Sequence, residues 1–269
     1  MTKLKPNKLL GQNFLRDRSA LAKIIKTADL KAGERVLEVG PGLGALTEEL
    51  AKHAGRVVAV EKDKNLAKLL QEKFAAAPNV KIVSDDILKI LDLGIDHLFK
   101  NLKLKIKNYK VVANIPYYLT SHLIRLLLEL PNPPQDIVLL VQREVAQRIC
   151  AQPPKMSLLA ISVQFYAQPQ IIAKVPKGAF WPQPKVDSAI IKITPQSKRA
   201  KIDAKQFFKV AKAGFSQPRK QLLNNLSAGL KIPRPQIADF LAQAGLNPQQ
   251  RAGTLTLDDW LKLTKLIFK

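Results

Sequence analysis

Residues Asn114-Ile115-Pro116-Tyr117 follow the apolar run Val111 to Ala113 and place a side-chain amide, a proline and an aromatic ring within four positions. An asparagine at the mouth of a strand offers its side-chain oxygen as a hydrogen-bond acceptor. Pro116 fixes its own φ at about −65° and biases Ile115 toward extended backbone, so the carbonyls there point into a cleft instead of into a helix. Two acceptors on one exocyclic amine would draw its lone pair out of conjugation with a ring, and Tyr117 or Tyr118 could stack on that ring. The pattern suits a site that holds a flat, amino-bearing base. The four residues alone leave open a plain strand-to-helix turn in which Asn114 only caps the next helix.

A second group of chemically able residues lies upstream. Gly40-Pro41-Gly42-Leu43-Gly44 follows the short apolar strand Arg35 to Val39, and glycines at such a turn let a ligand approach the backbone. Glu61 ends the next apolar run, Val57 to Val60, where a carboxylate can bind ribose hydroxyls. Asp86 follows a third run, Val80 to Val83, and can accept from an adenine amino group; Asp85 beside it is the alternative. The spacing is G-x-G-x-G and not the G-x-G-x-x-G of dinucleotide sites, and no Gly-Lys-Ser/Thr follows, which excludes a P-loop. Glu38, directly before the loop, would repel a pyrophosphate. It suits a ligand that carries a cation, such as S-adenosylmethionine with its sulfonium and α-amino groups.

To meet, these residues need a sheet whose strands end on one side. Short apolar strands alternate with helical periodicity: a helix from a Ser19 cap to Ala28, then helices around Leu43 to Ala51, Leu66 to Phe74 and Leu119 to Leu130, with a fifth strand at Ile137 to Val141. Arg143 to Ile149 and Leu158 to Phe165 read as further helices. Gln170 to Val175 and Ser188 to Ile193 read as a closing antiparallel pair. The expectation is an α/β fold, a mostly parallel seven-stranded sheet covered on both faces. The polar, proline-broken stretch Thr194 to Arg199 marks a boundary between domains 1–195 and 196–269. The second domain is expected to be all-helical. It carries Phe207, Phe208, Val210 and Ala211 on one segment, Leu222, Leu223 and Leu226 on another, and a last helix from Leu257 with Thr256 and Asp259 at capping-box spacing.

Composition sets the partners. With 46% hydrophobic residues in 269, the chain can bury a sizeable core and a smaller second one. Its formal charge of +23 is divided between 30 basic and 17 acidic residues up to position 195 and 14 basic and 4 acidic after it. Excess cation in both parts points to a nucleic-acid partner. Lys103, Lys105 and Lys107 alternate with apolar residues, and Arg219 with Lys220, expected on a helix, are the stronger candidates for phosphate contacts. Cys150 is the single cysteine, which rules out an intramolecular disulfide, and His53, His97 and His122 lack zinc-ligand spacing, so no metal is expected. With no long apolar segment, a soluble cytoplasmic protein is expected, by default a monomer.

Taken in order, Gly11-Gln12-Asn13-Phe14-Leu15, Glu38 to Gly44, Glu61, Asn114 to Tyr117, and Phe180-Trp181-Pro182-Gln183-Pro184-Lys185-Val186-Asp187-Ser188 resemble the ribosomal RNA adenine dimethyltransferase family over essentially the whole chain. The tail segment Phe215 to Leu222 resembles that family's basic segment. The resemblance implies a Rossmann-like class I methyltransferase with a helical RNA-binding C-terminal domain. It implies S-adenosylmethionine held by Asn13, Leu15, Gly40, Glu61, Asp86 and Asn114. Asn114, Ile115, Pro116 and Tyr117 would form the catalytic group, with Phe180 stacking on the target base opposite Tyr117. The implied substrate is a pair of adjacent adenosines in a 3′-terminal hairpin of 16S rRNA in the 30S subunit. Two alternatives stand beside it: a methylase acting on 23S rRNA that confers antibiotic resistance, and a non-catalytic assembly factor.

Overall fold

The computed structural model describes residues 6–7, 10–101, 108–196 and 202–269; of residues 97 and 101 only the backbone is described. Lys103, Lys105 and Lys107 lie outside the described residues, as do residues 197–199 of the Thr194 to Arg199 stretch. Two compact units form, residues 1–146 with 168–195, and residues 147–167 with 196–269.

The first unit begins with a two-residue strand β1 (Phe14–Leu15) and helix α1 (Arg18–Ala28). There follow β2 (Arg35–Val39), α2 (Ala45–His53), β3 (Arg56–Glu61), α3 (Lys64–Lys73), β4 (Val80–Ser84), α4 (Ile87–Asp92), α5 (Ile95–Asn101), β5 (Tyr109–Asn114), α6 (Thr120–Glu129) and β6 (Ile137–Gln142). The helix α7 (Arg143–Ile149) leads out of this unit and α8 (Leu158–Gln164) lies in the second; β7 (Ala167–Val175), β8 (Phe180–Trp181) and β9 (Ser188–Pro195) return. Seven strands form one sheet in the order β4-β3-β2-β5-β6-β9-β7. β2, β3, β4, β5 and β6 pair in parallel, and β9 runs antiparallel to β6. Strands buried on both faces must be apolar on both, which is why Val57 to Val60 and Ile137 to Val141 are continuous runs with almost no exposure. Alternate residues Val36, Val112, Val138, Leu140 and Ile190 join α1 and α2 in one cluster.

Local chemistry fixes the ends of these elements. Helix α1 is capped by Asp17, whose carboxylate accepts from Ala20 N at 2.7 Å, and not by the expected Ser19, which sits inside the first turn. At the other end of α1, the buried Lys110 of β5 donates to the carbonyls of Ala28 and Asp29 and to Glu34 Oε2 at 2.9–3.0 Å. All three ammonium hydrogens are thereby used, and α1 is tied to the sheet.

The second unit is helical: α8, α9 (Ala204–Gly214), α10 (Leu222–Leu230), α11 (Arg234–Ala244) and α12 (Leu257–Ile267). Thr256 and Asp259 form the capping box of α12, each satisfying the other's main-chain N–H. Residues 147–167, read from the sequence as part of the first domain, belong here. Ala160, Ile161 and Phe165 share a core with Phe207, Leu226, Leu241 and Trp260, and Phe165 stacks on Phe207 with ring centroids 4.3 Å apart. The excursion is invisible to periodicity, because an apolar helix face does not specify which core it enters. Arg219 and Lys220 are exposed in the loop between α9 and α10 and not on a helix, since Pro218 interrupts the periodic pattern.

Trp260 is buried in this unit, so in a Trp181→Phe background its fluorescence reports the unfolding of the second core. Phe165→Ala is expected to lower that transition by about 3–5 kcal/mol, measured by urea denaturation. An unchanged midpoint would return residues 147–167 to the first core.

Candidate active site

In a parallel sheet whose strand order reverses, loops at the carboxyl ends diverge and leave a crevice. Here the reversal lies between β2 and β5. Their register pairs Leu37 with Val111, so Gly40 and Asn114, each three residues further on, leave adjacent strands at one level. On the other side of β2, Val39 pairs with Val60, and Gly40 N donates to Val60 O at 2.9 Å, which sets Glu61 beside the glycine loop. Glu61 in turn pairs with Ser84, and Asp85 N donates to Glu61 O at 3.0 Å. The sheet thus lines up Asn114, Gly40, Glu61 and Asp85–Asp86 along one rim. They enclose a cavity of about 760 Å³, within the range of small-molecule sites, to which Asn13, Leu15, Glu38, Ile115, Pro116 and Tyr117 also contribute walls.

The glycine loop is held by sterics and by a carboxylate. Gly40 and Gly42 have φ of +65° and +59°, and a Cβ on Gly42 would come within 2.9 Å of the Phe14 ring. Gly42 N donates to Glu61 Oε2 at 3.1 Å and Asp63 N to Oε1 at 2.9 Å. Each Glu61 oxygen keeps a lone pair for a hydroxyl donor. Burial raises the Glu61 carboxyl above its ordinary value, opposed by these two N–H groups.

Glu38 is 1% exposed, and its Oε2 has no hydrogen-bond partner. Burial, opposed by the Thr47 hydroxyl and reinforced by the nearby charge of Glu61, pushes Glu38 from the ordinary 4.5 up to about 8. A buried carboxyl with an orphaned oxygen on a cavity wall is suited to receive a cation. Asp86 is more fully engaged: Oδ1 caps α4 at Leu88 N, 3.0 Å away, and Oδ2 pairs with Lys62 at 2.8 Å. Burial works to raise it, but Lys62 and the Leu88 N–H outweigh burial and hold it below the usual carboxylate range. A purine amine reaching Asp86 has to share Oδ2 with that ammonium. Asp85 Oδ1 accepts from Asp86 N at 2.7 Å.

The Asn114 amide is oriented from the far end of the chain. Its Nδ2 donates to the main-chain carbonyl of Asn13 at 3.1 Å, 101 positions away in sequence. A carbonyl partner accepts only from the amide nitrogen, so this bond fixes which end of the amide is Oδ1 and leaves that oxygen free to accept. Pro116 holds φ −56° and ψ 134°, extended as the sequence requires. Beyond it, Tyr117 is anchored through its hydroxyl, 2.8 Å from Ser188 Oγ. Ser188 is fully buried at the start of β9. Sequence pattern alone gives it no role. The available signal is its place at the end of the Phe180 to Ser188 motif, but only the sheet brings β9 beside the Asn114 turn. Tyr118 is 57% exposed.

Phe180 departs from expectation. Residues alternate sides along a strand, and in the short pair β1–β8 Leu15 faces Phe180 while Phe14 faces Trp181. Phe180 is 5% exposed, shares a cluster with Leu15, Leu21 and Ala179, and does not line the cavity, so it does not stand opposite Tyr117. The exposed ring is Trp181, with Arg16 4.6 Å above it and Phe14 stacked at 6.2 Å.

No histidine lines the cavity, and among the described residues no group of three or more His, Cys, Asp or Glu side chains could hold a metal. Among the same residues, no helix is long and apolar enough to cross a membrane.

The family model described as ribosomal RNA adenine dimethylase matches residues 3–269. The chain is 48% identical over 265 residues to ribosomal RNA small subunit methyltransferase A of Dehalococcoides mccartyi strain CBDB1, covering 97% of this chain and 88% of the relative. Among solved structures, 23S rRNA methyltransferase ErmE superposes with a TM-score of 0.75 at 29% identity, covering 96% of this chain and 100% of ErmE. A dimethyladenosine transferase from Plasmodium falciparum gives the same TM-score at 24% identity, covering 93% and 95%, a likeness of fold.

The raised Glu38 value has a sign in stability. The folded state keeps the proton that the unfolded chain releases above about 4.5, so its contribution is full below that pH and is lost as pH rises through about 8. Glu38→Gln is expected to remove this decline, seen as a flatter dependence of the denaturation midpoint on pH between about 5 and 8.

Proposed function

The chain belongs to the ribosomal RNA adenine dimethylase family, and from that membership we propose that it transfers methyl groups from S-adenosylmethionine to the exocyclic amines of two adjacent adenosines in a 3′-terminal hairpin of 16S rRNA, giving N6,N6-dimethyladenosine during 30S assembly. The observation that carries the reading is the Asn114 amide, pinned by its nitrogen to Asn13 O with its oxygen left to accept at the lip of the cavity. The small-subunit substrate is supported over the large-subunit one by 48% identity to a small-subunit methyltransferase against 29% to ErmE.

The residues fit the donor. Glu38, with its orphaned oxygen, suits the positive charge of the methionine portion. Glu61 has one free lone pair per oxygen for the ribose hydroxyls. Gly40 allows the backbone to approach, Asp86 or its neighbour Asp85 accepts from the adenine edge, and Asn13 and Leu15 close the cavity from the leader side. Bound there, S-adenosylmethionine supplies an electrophilic methyl group on a sulfonium.

Asn114 Oδ1 and the carbonyl of Ile115 accept the two hydrogens of the target amine. This localises the nitrogen lone pair and stabilises the positive charge that develops on attack. Pro116 keeps that carbonyl in place by holding the chain extended. The methylated ammonium is strongly acidic and loses its proton to solvent, so a cavity without histidine is no handicap. The target base leaves its stack to enter, and Tyr117 offsets that cost by roughly 1–3 kcal/mol of stacking. Phe180 acts from behind, anchoring Leu15 and with it the leader that carries the Asn13 carbonyl. Arg219 and Lys220 hold RNA phosphates.

Incubation with labelled S-adenosylmethionine and immature 30S particles is expected to put label on adjacent adenosines of the small-subunit RNA. Label on 23S rRNA alone, or none, would favour the resistance methylase or the non-catalytic factor. Asn114→Ala is expected to abolish transfer with RNA affinity nearly unchanged; a drop in affinity with retained turnover would refute its assignment. Tyr117→Phe and Ser188→Ala should each lower kcat by roughly fivefold, and the double variant no further, because both remove one hydrogen bond of about 1 kcal/mol. Additive losses in single-turnover assays would separate the two residues.

A further inference from the structure

Tyr118 is the one exposed tyrosine and stands on the cavity wall, yet the roles of Asn114, Ile115, Pro116 and Tyr117 leave it without a task. Tyr117–Leu119 forms a single 3-10 turn, in which successive side chains point about 120° apart. The three diverge accordingly. Tyr117 reaches Ser188 of β9, Leu119 is buried, and Tyr118 turns back past Pro116 to the leader. A Cβ on Gly11 would meet the Tyr118 ring at 3.5 Å and Pro116 Cβ at 3.6 Å, so the leader backbone lies against both.

The direction matters because the sheet separates the two halves of the cavity. In the order β4-β3-β2-β5-β6-β9-β7, β9 lies on one side of β5 and β3 on the other. Tyr117 is held toward β9, and Tyr118 faces Lys62 at the end of β3. Asp86 raises the Lys62 ammonium above its ordinary value by hydrogen bond and charge, and the nearby Tyr118 oxygen acts in the same direction. Two side-chain bonds close this half: Lys62 Nζ with Asp86 Oδ2 at 2.8 Å, and Gln12 Nε2 with Asp63 Oδ2 at 3.1 Å. The leader therefore crosses from the Asn114 turn to the β3 end, touching Tyr118 on the way. The rest of that ring, 57% exposed, is open area that a flat ligand would cover.

We propose that Tyr118 is a donor-binding residue, its ring covering the nucleoside half of S-adenosylmethionine while Glu61 and Asp86 hold the ribose and the adenine edge. The proposal rests on the reading of the chain as an S-adenosylmethionine-dependent methyltransferase. Two tyrosines adjacent in sequence then serve opposite partners, Tyr117 the acceptor base and Tyr118 the donor. The reason is geometric. A 3-10 turn at the end of β5 stands between the two halves, and it cannot send consecutive rings the same way.

The test measures binding to the full chain without RNA, by calorimetry, using S-adenosylhomocysteine and 5′-methylthioadenosine, which keeps the nucleoside and lacks the amino-acid portion. Tyr118→Ala is expected to weaken both ligands by the same factor, roughly tenfold, the loss of one base–aromatic stack. Tyr118→Phe, which keeps the ring, should stay within about twofold of the wild type for both. In methylation of immature 30S particles the alanine loss should appear in KM for the donor and not in kcat. Unchanged affinity for both ligands in the alanine variant would overturn the proposal. So would a loss for S-adenosylhomocysteine alone, which would put the ring at the methionine end. A fall in kcat with donor affinity intact would overturn it too, since the ring would then only prop the leader that carries the Asn13 carbonyl; a loss of RNA affinity alone would assign the ring to the substrate. If the wild type binds both ligands and Tyr118→Ala changes neither, this assignment alone fails; a wild type that binds neither strikes the functional reading instead.

Discussion

The parallel pairing of β2 with β5 is the constraint on which the candidate site depends. Because Leu37 faces Val111, the glycine loop and the Asn114 turn leave the sheet at one level, although 74 residues separate Gly40 from Asn114. A slip of one residue would shift one loop past the other by about 3.3 Å and turn every side chain of the strand to the opposite face. Burial forbids that slip. Val36, Leu37, Val111, Val112 and Ala113 have no exposure, so any other register would trade packed apolar surface for mismatched packing. The hydrophobic core is therefore what holds donor-side and acceptor-side residues within reach of one another.

Around that fixed rim, weaker interactions set orientation. The leader adds β1 to β8, Arg16 N and Asp17 N both bond Ala179 O, and the Asn13 carbonyl then selects the rotamer of Asn114. Ser188 does the same for Tyr117 from β9. Neither partner is near its target in sequence. Both work because a carbonyl, or a buried hydroxyl, offers one geometry in which its neighbour can be satisfied. A cleft whose polar groups are held by such outside partners is preorganised, and little reorganisation remains when a base enters.

Charge divides the molecule by scale. The chain as a whole carries +23, a field that gathers a polyanion at long range. Inside the cavity acidic side chains outnumber basic ones, with Glu61, Asp85 and Asp86 along its wall. Burial lifts the Glu38 carboxyl to about 8, so at neutral pH that part of the wall carries a proton and not a full charge.

Sequence alone determined the alternation of strand and helix, the glycine loop with its acidic partners, the Asn114 to Tyr117 turn and the family to which they belong. Those signals are local or ordered along the chain: apolar period, glycine at a turn, proline after an extended residue. It also carried the capping box of Thr256 and Asp259, which spans three positions. Tertiary structure decided what depends on distant partners. It sent residues 147–167 into the helical unit, because an apolar helix face is indifferent to which core receives it. It turned Phe180 inward and Trp181 outward, because the β1–β8 register, and not the motif, chooses the side. It moved Arg219 and Lys220 from an expected helix to a loop. And it supplied Asn13 and Ser188 as the bonds that aim Asn114 and Tyr117, a choice made by folding the chain over on itself.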